Sequence, residues 1–312
     1  MTETEPPELP RGIALAWGVA ANPQRGPKRE MSVEKIVDAA VELADAEGIG
    51  AVSMAAVAAR LGFTPMSLYR YVTAKDDLLL LMQEEATGLP PQSHLEADGW
   101  RGRLIALYEE QVKLYLRHPW MLSLPITGSP ITPNSSAWLD AGLAALDGTA
   151  LTTEERMAVA LAVTGHARWC GIVQAGYTEQ SRGTGLTPDE VAANEAALFD
   201  RVITAEEFPA LRRAIEDDVF TSTADPFRFA VERTLDGVTA YIAGLDRGEL
   251  HAEAAEWIDI DPAEVSGDRR LKEAQKAVRE AEKALRAARK IERQAWREAR
   301  ERSAKVKKSG LT

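Results

Sequence analysis

Between Thr64 and Lys75 the chain gathers the side-chain types that recognise nucleic acid. Met66 offers an apolar contact for a thymine methyl, Arg70 a multi-donor fork for a base edge or a phosphate, and Ser67 a hydroxyl. Tyr69, Tyr71 and Lys75 suit the phosphate walls of a groove, and the free backbone N–H groups at the Thr64 end suit an anion. The plainer alternative is that Tyr69 and Tyr71 pack a small subdomain. No Gly-rich phosphate loop, His-Glu-x-x-His, Gly-x-Ser-x-Gly or paired metal-ligand spacing occurs in the chain. An enzyme, a metal site and a bound cofactor are therefore not expected.

Those residues need a scaffold, and the helix signals around them supply one. Ser32 caps a helix whose Val33, Ile36, Val37, Ala40, Val41 and Ala44 keep a 3-4 spacing until Gly48 and Gly50 break it. Ser53 opens a second helix closed by Gly62, and Thr64 opens a third, with Pro65 in its first turn, running through Tyr71. Two short helices joined by a Gly-containing turn have helix-turn-helix geometry, whose second helix enters a major groove. At roughly 100° per residue, Leu68, Val72 and Pro65 share one side of the third helix, while Met66 and Arg70 fall opposite.

Residues Ser53 to Val72, followed by Lys75-Asp76-Asp77-Leu78, closely resemble the DNA-binding domain of TetR-family transcriptional repressors. The apolar spacing, Gly62, the Leu68-Tyr69 pair and Lys75 fall in one frame, and Val37 to Gly48 matches that family's first helix. Further on, His118-Pro119-Trp120, Pro133-Asn134 and Trp138-Leu139 resemble the tetracycline-repressor-type C-terminal domain, so the likeness covers residues 32 to about 245. The resemblance implies base contacts from Pro65, Met66, Ser67 and Arg70, and phosphate contacts from Ser53, Thr64, Tyr69, Tyr71 and Lys75. Where some members place an Arg to read a base, this chain has Ala55, so no relative's operator can be copied. Arg25 and Lys28 precede the first helix closely enough to reach a minor groove, or form a solvated cluster. The resemblance also implies a homodimeric repressor that holds a palindromic operator in double-stranded DNA and is released by a small hydrophobic effector.

The expected fold is all-α, because capping boxes recur and alternating strand patterns are nearly absent. Residues 1–31 read as a flexible arm, 32–78 as the helix-turn-helix domain, 79–265 as a ligand-binding and dimerising region, and 266–312 as a basic helical tail. Two irregular connections are expected in the third zone, Pro119 to Ser136 and Thr178 to Thr187. Two apolar helices within it, one around Met157 to Ala167 and one running from Phe227 to Leu245, suit a four-helix dimer interface. Its aromatic and polar residues Tyr108, His118, Trp120, Trp138, His166, Trp169, Gln174 and Tyr177 are the candidates for a pocket. Each of them is also readable as ordinary core or surface.

The net charge is -11, but it is unevenly spread. Residues 76–265 carry -19 and residues 266–312 carry +9, so acidity does not exclude a nucleic-acid partner. One cysteine, Cys170, allows no intrachain disulfide, and a cytoplasmic setting is expected. The longest uncharged run, His118 to Leu139, contains four prolines and is no membrane span. The tail keeps Leu271, Ala274, Val278, Ala281, Leu285 and Ala288 at heptad spacing, which reads as a solvated or weakly self-associating helix. A sequence-independent nucleic-acid contact is the second reading of the tail. It carries the alternative function, a nucleoid-type, sequence-tolerant DNA binder.

Overall fold

In the computed structural model, Ser32 accepts a hydrogen bond from the Lys35 backbone N–H and opens α2 (Val33–Glu47). Ser53 does the same for Ala56 and opens α3 (Met54–Leu61). The structure describes residues 9–19, 31–126, 131–253, 255–256, 265 and 267–309. Among these it contains twelve α-helices and no strand, the all-α architecture expected. The chain divides into two units, Met1–Leu250 and His251–Thr312.

The first core of the larger unit is built on α2, α3, α4 (Pro65–Leu68) and α5 (Lys75–Thr87). Ile36, Ala40, Val52, Val57, Leu68, Val72, Leu78 and Met82 are all inaccessible to solvent. Each large aliphatic side chain so buried contributes roughly 1.5–3 kcal/mol. Gly62 ends α3 at φ 75°, where the Phe63 N–H bonds the Ala58 carbonyl and the Gly62 N–H bonds that of Ala59. That Schellman turn needs the left-handed conformation glycine adopts freely, and it sets the angle at which α4 leaves α3. The third helix is shorter than the sequence predicts. It closes at Leu68, and Tyr69–Tyr71 form a tight turn in which the Tyr71 N–H bonds the Leu68 carbonyl at 2.8 Å. Burial of Val72 draws the chain inward before α5 begins.

Part of the segment expected to be a flexible arm is docked. Helix α1 (Arg11–Ala16) packs on α5; Ile13 is buried and Leu15 packs against the first core. Trp17 then donates its indole N–H to the Ile131 carbonyl at 2.6 Å.

A second core joins α6 (Gly99–Arg117), α7 (Pro133–Ala145), α8 (Thr153–Thr184) and α11 (Pro226–Asp246) through Leu104, Leu107, Trp138, Leu146, Val163, Val231 and Leu235. Gly171 lets α8 press onto α6, since a β-carbon there would lie 2.8 Å from that of Tyr115. The capping boxes Thr152/Glu155 and Thr187/Glu190 form reciprocally at the starts of α8 and α9 (Pro188–Val202). Thr204 accepts from the Glu207 N–H but closes a turn, and α10 (Pro209–Glu216) starts two residues later. The irregular connection expected over Thr178 to Thr187 is helical as far as Thr184. The Thr178 and Thr184 hydroxyls bond back to the Gln174 and Gln180 carbonyls, which satisfies them inside the helix.

The second unit is dominated by α12 (Arg269–Ser309). The Asp268 carboxylate accepts from the Leu271 N–H at 2.7 Å, supplying an N-cap. Forty-one residues at 1.5 Å rise give a rod of about 60 Å.

Candidate functional site

The putting together of the first surface follows from how α4 is held. Leu68 and Val72 point into the core, so the residues between and before them face out. Met66 is 74% exposed, and Thr64, Pro65, Tyr69 and Arg70 are also exposed, with Ser67 and Tyr71 half-buried. Thr64 and Ser67 share a hydrogen bond between their hydroxyls at 2.9 Å, which orients both at the start of the helix. Tyr71 packs against the first core through one side of its ring, so it serves packing whatever else it does. Ser53 and Lys75 lie exposed at the starts of α3 and α5.

The charges on this face are available. Among the described residues Arg70 and Lys75 have no ion-pair partner, whereas Arg60, at the end of α3, is held by Glu42 at 2.9 Å. An unpaired guanidinium, an unpaired ammonium, five hydroxyls and an exposed thioether on one small helical unit form a surface able to engage phosphate and base edges. Arg25 and Lys28 lie outside the described residues.

The eight pocket candidates separate into groups. Tyr108 is buried among α6, α8 and α11, where its hydroxyl meets no oxygen or nitrogen partner and only the weakly hydrogen-bonding thiol of Cys170. Burial, helped by the adjacent Cys170 thiol, pushes its phenol well above the ordinary range, and burial also pushes the Cys170 thiol up. Gln174 donates to the Cys170 sulfur at 3.1 Å. His166 meets the Thr234 hydroxyl at 3.1 Å; because that hydroxyl donates to the Ala230 carbonyl, the His166 Nε2 is the donor. Gln111, absent from the candidates, belongs here: it donates to Thr164 at 3.4 Å and its Oε1 is buried without a partner. It stands on α6 beside Glu109, Glu110 and Lys113, so its type and position give no signal for it.

The other candidates are elsewhere. Trp120 and His118 both bond one oxygen of Asp45, at 2.7 and 2.8 Å, and so join the turn Pro119–Ser123 to α2. Arg168 on α8 donates to the Leu122 and Leu124 carbonyls, both at 3.1 Å, and holds the same segment from the other side. Trp138 donates to the Gly88 carbonyl at 3.0 Å. Tyr177 donates to Glu195 of α9 at 2.9 Å, and that carboxylate with burial pushes its phenol up. Trp169 is 58% exposed and packs edge-on against Phe227. It lies in a stripe along α8 with Leu161, Gly165 and Ile172, all exposed; Phe229 of α11 is exposed too, with Arg233 over its ring.

A cleft of about 280 Å³ between α9, α10 and the turn Val219–Thr221 is lined by Ala196, Ala197, Asp200, Ile215, Asp218, Phe220 and Thr221. It shares no residue with the candidate pocket, and the weakly partnered Tyr108 hydroxyl and unpartnered Gln111 amide oxygen mark the Tyr108 core as the more specific environment. Among the described residues no helix is long and apolar enough to cross a membrane, and no three His, Cys, Asp or Glu are grouped to hold a metal ion.

Comparison with known proteins gives concordant matches. Residues 36–82 match the family described as "Bacterial regulatory proteins, tetR family", and residues 91–242 match "Tetracyclin repressor-like, C-terminal domain". The HTH-type transcriptional repressor DrrR1 of Streptomyces coeruleorubidus is 32% identical over 238 residues, covering 76% of this chain and 87% of that protein. An HTH-type transcriptional regulator of Saccharopolyspora erythraea is 34% identical over 139 residues, 44% of this chain and 58% of its own length. Among solved structures, the Streptomyces coelicolor protein ActR in complex with actinorhodin aligns with a TM-score of 0.52 at 21% identity, over 70% of this chain and 99% of ActR.

Proposed function

Because the chain belongs to the TetR family of bacterial regulatory proteins, we propose that it is a homodimeric repressor that holds a palindromic operator and is released by a small hydrophobic effector. One observation carries the reading: the exposed, unpaired Arg70 lies in the turn directly after α4, a helix that exposes Met66 while its Leu68 is locked into the core. Pro65, Met66, Ser67 and Arg70 would read base edges, while Ser53, Thr64, Tyr69, Tyr71 and Lys75 would hold phosphates and fix the register. One such helix discriminates poorly. Two of them about 34 Å apart read two half-sites one turn of DNA apart.

The exposed stripe of Leu161, Trp169, Ile172 and Phe229 supports pairing of α8 and α11 with the same helices of a second copy. Such a face is apolar, and Gly165 in its middle permits close approach. The Tyr108, Gln111, Cys170 core supports an apolar effector with one or two hydrogen-bonding groups, since binding would satisfy the Gln111 amide oxygen and give the Tyr108 hydroxyl a stronger partner than the Cys170 thiol. Actinorhodin, the ligand in the ActR structure, is a reasonable first compound to test.

Effector binding would reach DNA through contacts already described. Arg168 leaves α8 two residues before Cys170 and grips the turn that carries Trp120, which in turn grips Asp45 of α2. A shift of α8 against α6 would therefore tilt α2 and the recognition surface with it. Weakening operator binding about 1000-fold requires about 4 kcal/mol of differential affinity between the two states.

The test is a gel shift on the DNA upstream of the chain's own gene with excess nonspecific competitor. Selective retardation by the full chain, lost in Tyr69→Ala/Lys75→Ala with the oligomeric state unchanged, is the expected result. Retardation that competitor abolishes, or that survives the double substitution, overturns the reading.

A further inference from the structure

Helix α12 carries a pattern that operator recognition does not use. Lys272, Lys276, Arg279, Lys283, Arg286, Lys290, Arg293 and Arg297 follow one another at strictly alternating spacings of four and three residues. At 100° per residue all eight fall within an arc of about 100°. Lys272 through Arg293 are exposed. Of these seven, among the described residues, only Lys276 has a carboxylate within ion-pair distance, Glu280 at 3.9 Å. The apolar seam of Leu271, Ala274, Val278, Ala281, Leu285 and Ala288 lies on roughly the opposite side.

A merely solvated helix face mixes signs, because opposite charges three and four residues apart stabilise a helix and like charges there oppose it. Eight cations in register work against the helix that bears them. Neighbours about 5–6 Å apart also lie well inside the Debye length of about 8 Å, so their fields add into one strip of positive potential. The strip runs about 37 Å, close to the roughly 34 Å of one turn of DNA. An anionic membrane fits less well. A helix lying in a bilayer interface presents a large apolar face with its cations along the border, whereas this apolar face is about half alanine and points away from the cations.

We propose that α12 is a second DNA contact, an electropositive strip that binds the phosphates of duplex DNA without regard to sequence. It goes beyond the repressor reading and does not rest on it, since backbone contacts carry no sequence information. Its effect would be to hold the chain near DNA while the recognition surface searches.

The test measures fluorescence anisotropy of a labelled 40-base-pair duplex of random sequence against the full-length protein, across a KCl series. Three further proteins are compared with the unaltered chain: one with all eight cations changed to Gln, one with the same eight redistributed around α12, and Tyr69→Ala/Lys75→Ala. Glutamine is a good helix former, and circular dichroism checks that helix content is kept. Each phosphate neutralised adds about 0.9 to the slope of log K against log salt, so the Gln variant is expected to lose about 4–7 from the slope and at least tenfold in affinity at 100 mM KCl. The redistributed variant is expected to lose at least half as much slope, and Tyr69→Ala/Lys75→Ala to keep the full tail-dependent difference. A Gln variant within one unit of the original slope overturns the proposal. So does a redistributed variant that keeps the full slope, because net charge alone would then suffice. Tail-dependent binding to vesicles of anionic lipid with no change in the DNA slope overturns it in favour of a membrane. Loss of operator selectivity with the slope difference intact would remove the repressor reading and leave this one standing.

Discussion

Trp120 donates its indole N–H to Asp45 at 2.7 Å across 75 residues of sequence, and His118 bonds the same carboxylate oxygen. The contact joins the first helix of the DNA-binding domain to the turn that follows α6. Trp120 is only 4% exposed, so its N–H has little access to water if the carboxylate is removed. A donor left unsatisfied in that way costs about 1–3 kcal/mol. Asp45→Ala is therefore expected to lower unfolding stability by about 1–3 kcal/mol. Asp45→Asn should lose less, because its amide oxygen still accepts. Urea denaturation with an unchanged m-value measures both; equal stability of Asp45→Ala and the original chain would show that the contact contributes nothing.

The same node tests the route from effector to operator. Trp120→Phe keeps the ring in the core and deletes the donor. With that link cut, effector should still bind the sensor region but release operator at least tenfold less well. Isothermal titration with the effector and gel shifts with and without it separate the two properties. Parallel losses in both would mean that Trp120 serves folding alone.

The fold was legible where one periodic pattern met one buried face. The 100° steps put Leu68 and Val72 inward and Met66 and Arg70 outward, and both aliphatics are fully buried although the helix closes at Leu68 and the chain reaches Arg70 and Val72 through a turn. The pocket was less legible because side-chain type does not reveal a distant partner. His118 and Trp120 read as pocket residues, but their partner Asp45 stands in a helix alongside Asp38, Glu42 and Glu47, and nothing in the spacing singles it out. Trp169 also reads as a pocket residue, but it lies exposed at 3-4 spacing with Leu161, Gly165 and Ile172, on a face of α8 that extends past the Met157 to Ala167 stretch from which burial is read.

That outward stripe predicts the effect of a charge placed in it. Leu161 is 57% exposed in the single chain, so Leu161→Glu should leave the subunit folded. In a two-fold interface each substitution appears twice, and burying unpaired carboxylates costs several kcal/mol. Dimerisation is expected to weaken at least 100-fold, which corresponds to about 2.7 kcal/mol. Sedimentation velocity at micromolar concentration should show a dimer for the original chain and a monomer for the variant. A dimer in both would exclude this face as the interface.

Acid should loosen the packing of α6 on α11. Arg101 reaches from α6 to Asp236 at 2.7 Å, and Arg228 of α11 bonds both Glu232 and Glu109 of α6. Glu232 is held below the usual carboxylate range chiefly by Arg228, and Asp236 chiefly by Arg233 with help from Arg101. A carboxyl lowered in the folded state stabilises the fold above its unfolded pKa, and that contribution is lost as pH falls through the folded value. Stability should therefore drop below about pH 4.5, and less steeply in Glu232→Gln/Asp236→Asn, where neither group titrates. Asp236 is exposed and Glu232 only half-buried, so the difference should be modest and should shrink in high salt. Thermal unfolding from pH 6 to 3 gives the two slopes, and identical slopes would show that these carboxylates are not responsible.

Tyr108 gives a prediction whose two halves have opposite signs. Its hydroxyl is buried with only the Cys170 thiol, a weak hydrogen-bonding group, beside it, and burial pushes the phenol up. A buried hydroxyl met only by a weak thiol partner is under-satisfied, so Tyr108→Phe should raise the unfolding free energy of the ligand-free protein, by at most about 1–3 kcal/mol. If the same hydroxyl exists to meet an effector, the variant should bind that effector about 5- to 100-fold more weakly, the worth of one hydrogen bond in a closed site. Urea denaturation without effector and titration calorimetry with it give the two numbers. A stabilised variant that binds as well as the original would keep the strain but move the effector elsewhere, whereas a destabilised variant would show that the hydroxyl is satisfied in solution.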